Sequence, residues 1–188
     1  RDRIPKDIWR QAVKKGKELL KSKDLSEIPT RAVDNWARSV YPDDPERISN
    51  SRSDSAQKLF NAIMAFMCGF DYKWSKVPKL RCAHGLLDVT ETIGFKLYKK
   101  SISRENTIEL CQVPSGHWTY GMSYGWTNAG GGWASFTHGW GTGHFKTKEQ
   151  CINHAVDWLI KTATASTSIK PSEKNFYIKQ NFNFYLDY

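Results

Sequence analysis

Residues 107–126 read TIELCQVPSGHWTYGMSYGW, and this stretch decides the fold of the second half of the chain. Thr107–Val113 alternates apolar and polar residues, which predicts a strand, and residues 114–116 are typical of a tight turn. His117–Trp126 alternates again and places its aromatic residues on one face. The stretch therefore predicts an antiparallel hairpin whose aromatic face needs a covering layer.

The residues that follow supply that layer. Asn128–Gly132 predicts a flexible loop, and Trp133–His138 predicts a third strand. Thr147 and Gln150 form a capping-box pattern, and the apolar stripe after them predicts a helix. We therefore expect a β-β-β-α unit, an antiparallel sheet with a helix on one face.

The first 72 residues predict a small helical bundle. Apolar residues at helical spacing indicate three helices, the first of which has Pro5 in its opening turn. Pro42 ends the second helix, Ser53 caps the third, and Gly69 ends it. Together with the β-β-β-α unit, this predicts an α+β protein.

The expected organisation is a helical part over 1–72, a basic connecting segment over 73–104, the β-β-β-α unit over 105–165 and a linker and tail over 166–188. The connecting segment fits both a helical and a strand period, so the sequence does not decide between a helix and a strand there. No apolar run approaches the roughly 18 residues that span a bilayer, and we expect no membrane partner.

Basic charge is concentrated in two blocks of the sequence. The formal net charge is +9, from 28 Lys and Arg against 19 Asp and Glu. Residues 1–31 carry ten basic and five acidic side chains, and residues 73–104 carry eight and two, whereas residues 105–145 contain no Lys or Arg. Two separate basic blocks favour a polyanionic partner, most simply DNA or RNA.

The first helix holds the clearest candidate site. Five basic side chains at spacings of three and four residues form one stripe beside its apolar face, and like charges this close destabilise a helix unless an anion offsets them. The candidate nucleic-acid-binding residues are Lys6, Arg10, Lys14, Lys17 and Lys21 on this helix, and Lys96, Lys99, Lys100 and Arg104 in the connecting segment. Trp133 and Trp140, beside the glycine loop, are expected to be exposed and to bind a protein partner.

Residues 141–149, GTGHFKTKE, followed by Ala155, resemble the end of a double-stranded-RNA-binding domain, where a glycine-bearing loop leads into a helix capped by lysine. The resemblance covers about residues 107–163. It implies that Lys146 and Lys148 contact phosphates.

The leading hypothesis is a non-enzymatic nucleic-acid-binding protein with an accessory or regulatory role. One alternative is a protein-binding inhibitor or adaptor whose basic faces meet an acidic protein surface. Another is a Mg²⁺-dependent nuclease in which Asp43 and Asp71 hold the metal and Lys73 stabilises charge. The Gly-x-Ser-x-Gly pattern at 121–125 lies inside a predicted strand, which disfavours a serine hydrolase.

No cofactor and no bound metal are expected for the leading function. The sequence has no Gly-x-x-x-x-Gly-Lys loop and no Gly-x-Gly-x-x-Gly fingerprint after a strand. The four cysteines, at positions 68, 82, 111 and 151, form no Cys-x-x-Cys pair. In a domain of this size that pattern predicts a reducing, cytoplasmic location.

Overall fold

The computed structural model describes residues 4–21, 30–42, 52–71, 86–95, 106–126, 129–136 and 143–170. In chain order the elements are α1 (Lys6–Leu20), α2 (Thr30–Val40), α3 (Asp54–Met67), β1 (Glu91–Gly94), β2 (Thr107–Gln112), β3 (Trp118–Gly125), β4 (Gly130–Trp133) and α4 (Lys148–Ala165). The strands form one antiparallel sheet in the order β1-β2-β3-β4. The predicted α+β class, with helices first and then a sheet and a final helix, is confirmed.

One face of α1 packs on α3. Ile8, Ala12 and Gly16 are buried, and their spacing of four residues places them on one side of the helix. Gly16 permits a close approach, because a Cβ atom there would lie 2.4 Å from Cδ1 of Phe66. The Trp9 ring also meets Phe66 edge-on, with 6.3 Å between ring centroids. The opposite side of α1 therefore points away from the bundle.

The helical part is centred on α3, which is buried along most of its length. Ser53 caps this helix as predicted, and its hydroxyl accepts a hydrogen bond from the Ala56 amide at 3.2 Å. Past the end of α3, Gly69 has a φ of 88° and lies close to the β2–β3 turn, where a Cβ atom would be 2.9 Å from the Ser115 amide nitrogen. Glycine suits both this conformation and this contact.

One face of the sheet is covered by α4. Ile108, Leu110, Tyr120 and Met122 are buried in one cluster with the apolar stripe of that helix. The aromatic face of the hairpin therefore packs beneath the helix, as its alternation predicts. The Thr147 hydroxyl caps α4 by accepting from the backbone amide three residues later at 3.2 Å.

The glycine run is a strand rather than a loop. We expected Asn128–Gly132 to be flexible, but β4 includes its three glycines and pairs with the end of β3. The predicted strand Trp133–His138 is likewise displaced, since β4 ends at its first residue and Phe136 forms an isolated bridge with Leu86. Glycine disfavours strands on its own, but the backbone groups of β3 offer pairing that outweighs this preference.

The ambiguous connecting segment contributes a strand too. Glu91–Gly94 forms β1 and pairs with β2, so the sheet has four strands where three were expected. The helical part and the sheet also share a core, because Leu87, Cys111 and Val113 are buried in the same cluster as α1, α2 and α3. Within the described ranges, no helix has the length and apolar content that crossing a membrane requires.

Candidate nucleic-acid interface

The five basic residues predicted on the first helix all lie on the outer side of α1. Lys6, Arg10, Lys14, Lys17 and Lys21 are exposed, and we call this set the basic stripe. At 100° per residue the stripe spans an arc of about 80°, and its centre lies about 160° from the buried face that packs on α3. At a rise of 1.5 Å per residue it extends about 22 Å along the helix axis.

The charges of the basic stripe are not neutralised by the described part of the fold. No side chain of the stripe forms an ion pair or hydrogen bond with a residue that the structure describes. Other cations do form ion pairs with carboxylates, namely Lys15, Arg38, Arg52, Lys58 and Lys148. The fold thus separates its structural cations from those it presents on α1.

Lys15 is a lysine of α1 whose side chain lies against the helical bundle. Its Nζ atom donates to Glu18 at 2.6 Å and lies 5.5 Å from the ring centroid of Trp36 on α2. This side chain lies against the bundle, where a cation–π contact and an ion pair hold it. Each lysine of the basic stripe lacks both kinds of contact among the described residues.

The helix dipole explains only part of the basic stripe. Lys17 and Lys21 lie at the C-terminal end of α1, where positive charge complements the dipole. Lys6 lies in the first turn, where positive charge is unfavourable. The helix dipole therefore does not account for the whole of the basic stripe.

The two lysines implied by the resemblance to double-stranded-RNA-binding domains have different surroundings. Lys146 is exposed just before α4. Lys148 donates to Glu91 on β1 at 2.5 Å, so it ties the start of α4 to the edge of the sheet. The remaining predicted cations, Lys96, Lys99, Lys100 and Arg104, lie outside the described residues.

Trp133 is less exposed than expected. It is half-buried, and its ring lies 4.8 Å from that of Trp158 on α4 and 6.0 Å from that of Tyr120, centroid to centroid. Its Nε1 atom is buried without a hydrogen-bond partner among the described residues. Trp140 lies outside the described residues.

The residues of the nuclease alternative are described only in part. Asp71 is exposed just beyond α3, whereas Asp43 and Lys73 lie outside the described residues. In the part of the chain that the structure describes, no three His, Cys, Asp or Glu side chains are grouped as they would be to hold a metal ion.

A buried Cys–His contact joins the two halves of the protein. The Sγ atom of Cys68, at the end of α3, lies 3.7 Å from Nε2 of His144, just before α4. Burial raises the pKa of the Cys68 thiol far above its ordinary value, so the thiol stays protonated at neutral pH. Sequence patterns gave no signal for this pair because 76 residues separate its members.

Comparisons of the chain with protein-family models, with curated proteins and with solved structures found no match. The resemblance of residues 107–163 to double-stranded-RNA-binding domains therefore stays a prediction.

Proposed function

We propose that the protein is a non-enzymatic nucleic-acid-binding protein, an accessory or regulatory factor that contacts the phosphate backbone through α1. The observation that supports this function is the basic stripe itself. Its five cations are exposed, form no ion pair with the described residues and lie opposite the face that packs on α3. This arrangement is typical of a surface that binds polyanions.

The geometry of the stripe suits a phosphate backbone. Neighbouring cations are separated by three or four residues, which corresponds to about 4.5–6 Å along the helix. A DNA duplex carries about one negative charge per 1.7 Å of its axis, so several phosphates lie within reach of a helix of this length. Each contact would release condensed counterions and strengthen binding at low salt.

The basic stripe contains one arginine, Arg10, and no Asn or Gln that could pair with an adenine edge. Gln11, the amide side chain of α1, donates to the Tyr41 hydroxyl at 3.1 Å, and Trp9 packs against Phe66. Neither side chain is available for base edges or base stacking. We therefore expect binding that depends weakly on base sequence, because phosphate contacts position a protein without specifying bases.

The test is a triple variant, Arg10→Gln with Lys14→Gln and Lys17→Gln. Glutamine has nearly the helix propensity of lysine and arginine, so α1 should stay folded. Affinity for a random DNA duplex and for a random RNA duplex is measured by fluorescence anisotropy at 100 mM salt. Loss of three phosphate contacts should weaken binding on the order of 100-fold.

A matched control removes the same charge elsewhere. The variant Lys58→Gln with Lys161→Gln and Lys170→Gln has the same net charge but keeps the stripe, and it should bind within a few-fold of the wild type. Equal losses in the two variants, or none in either, would contradict the proposal.

Binding to an acidic protein surface but to neither duplex would favour the adaptor alternative. Cleavage of plasmid DNA with Mg²⁺ that Asp71→Asn abolishes would favour the nuclease.

A further inference from the structure

The carboxylate of Glu109 on β2 is half-buried and has no partner among the described residues. Its side chain forms no ion pair or hydrogen bond with any residue that the structure describes. Asp34, which is half-buried as well, is held by Arg38 and Arg52. Removing part of the water around a carboxylate costs free energy unless a hydrogen-bond donor of the protein replaces that water. Glu109 therefore has unused capacity to accept hydrogen bonds from a ligand.

Glu109 lies on the face of the sheet opposite α4. Its neighbours in β2, Ile108 and Leu110, are buried against α4, so alternation directs Glu109 to the other side. The residue opposite it in β3 is Gly121, and backbone atoms of Trp133 and Ser135 occupy the place of its missing side chain. Ser123, two residues further along β3, lies on the same face.

An open cavity of about 430 Å³ lies on this face. It is lined by Glu109, Met122, Ser123, Gly132, Trp133 and Ala134. Its volume lies within the range of roughly 300–1,000 Å³ that is typical of small-molecule pockets. The site could therefore hold a group larger than a single ion.

The lining favours a positively charged guest. Glu109 contributes a carboxylate and Ser123 a hydroxyl, and none of the six lining residues is Lys, Arg or His. Ser135, one residue beyond the cavity wall, is buried, and its hydroxyl has no hydrogen-bond partner among the described residues. Buried hydroxyls are rarely left without a partner, which makes this an unusual segment of the fold.

We propose that this cavity binds an organic cation, an alkylammonium or guanidinium group, through the Glu109 carboxylate. The guest is either a Lys or Arg side chain of a partner polypeptide or a free amine. The site is independent of the basic stripe, which has the opposite charge and lies on another element.

The test uses two probes, agmatine and the peptide acetyl-Gly-Arg-Gly-amide. Each is titrated into the isotope-labelled full chain, and the backbone amide signals of Ser123, Gly132 and Ala134 are followed by NMR. Saturable shifts of these signals are expected. Equal binding of both probes indicates that the cationic group alone is recognised, and binding of the peptide alone indicates a polypeptide partner.

Two variants assign the contact to Glu109. Glu109→Gln removes the charge at nearly constant shape and should weaken binding on the order of 10- to 100-fold, because a hydrogen bond to a charged group is lost. Glu149→Gln, an exposed carboxylate on α4, should bind as the wild type does. Unchanged affinity in Glu109→Gln would overturn the proposal. Absence of shifts at the three amides of the wild type would overturn it whether or not that variant folds.

Discussion

Gly121 is a residue whose missing side chain the fold requires. A Cβ atom there would lie 2.8 Å from the Trp133 carbonyl oxygen and 2.8 Å from the Ser135 amide nitrogen. Both are backbone atoms, so neither can rotate away as a flexible side chain could. The chain leaving β4 crosses β3 at this point, and only glycine admits that crossing.

We predict that Gly121→Ala destabilises the protein by about 2 kcal/mol, the usual cost of forcing an extra group into a packed site. Urea unfolding followed by tryptophan fluorescence measures the change. Gly94→Ala is the matched control in β1, since a Cβ atom there meets nothing within 4 Å. Its effect should stay within about 0.5 kcal/mol. Equal stability of the two variants would contradict the close crossing.

Individual residues also show where sequence reasoning succeeds. The basic stripe was predictable because its members lie on one helix, where spacing alone fixes which side chains share a face. The Cys68–His144 contact and the cavity beside Glu109 were not. Both depend on which elements come together in space, and neither leaves a periodic pattern in the sequence.

At the scale of a single element, α4 carries a histidine whose protonation opposes folding. Nδ1 of His154 lies 3.1 Å from the Tyr120 hydroxyl of β3, and the ring packs against Phe145 with 5.0 Å between centroids. Burial lowers the pKa of His154 from its ordinary value of 6.5; on the same helix Asp157 acts to raise it and Lys161 to lower it. The folded protein therefore keeps this imidazole neutral at neutral pH.

This pKa shift predicts a loss of stability in mild acid. The unfolded chain binds a proton at His154 near pH 6.5, whereas the folded chain binds it only at lower pH. The stabilisation is therefore complete above pH 6.5 and declines as the pH falls below it. Urea unfolding at pH 7.5 and 5.5 should show this decline, and His154→Gln should show a smaller one. An equal decline in both proteins would contradict the assignment to His154.

The four strands of the sheet differ in how well the local sequence predicts them. The strands β2 and β3 were predictable because their alternation is regular and a turn joins them. The formation of β4 and β1 depends on pairing with a neighbouring strand. The glycines of β4 carry no side-chain signal, and the residues of β1 fit both a helical and a strand period. In both cases the backbone hydrogen bonds of a neighbouring strand settle what the local sequence leaves open.

At the scale of the whole molecule, the helical part and the sheet support each other. Residues from β2 and from the segment before β1 complete the core of the helical bundle, and the Ser115 amide donates to the Cys68 carbonyl at 3.0 Å. In this joined core α1 packs on α3 through its buried face, so the basic stripe lies on the outside. The predicted class of fold thus explains how the candidate interface is presented.

The most direct test of the proposed function is the salt dependence of duplex binding by the wild-type protein. Five phosphate contacts predict a slope of about −4.5 for the logarithm of the association constant against the logarithm of the salt concentration. Affinity should therefore fall by roughly 500-fold between 50 and 200 mM salt. A slope near zero, or no measurable binding at 50 mM salt, would contradict phosphate recognition by α1.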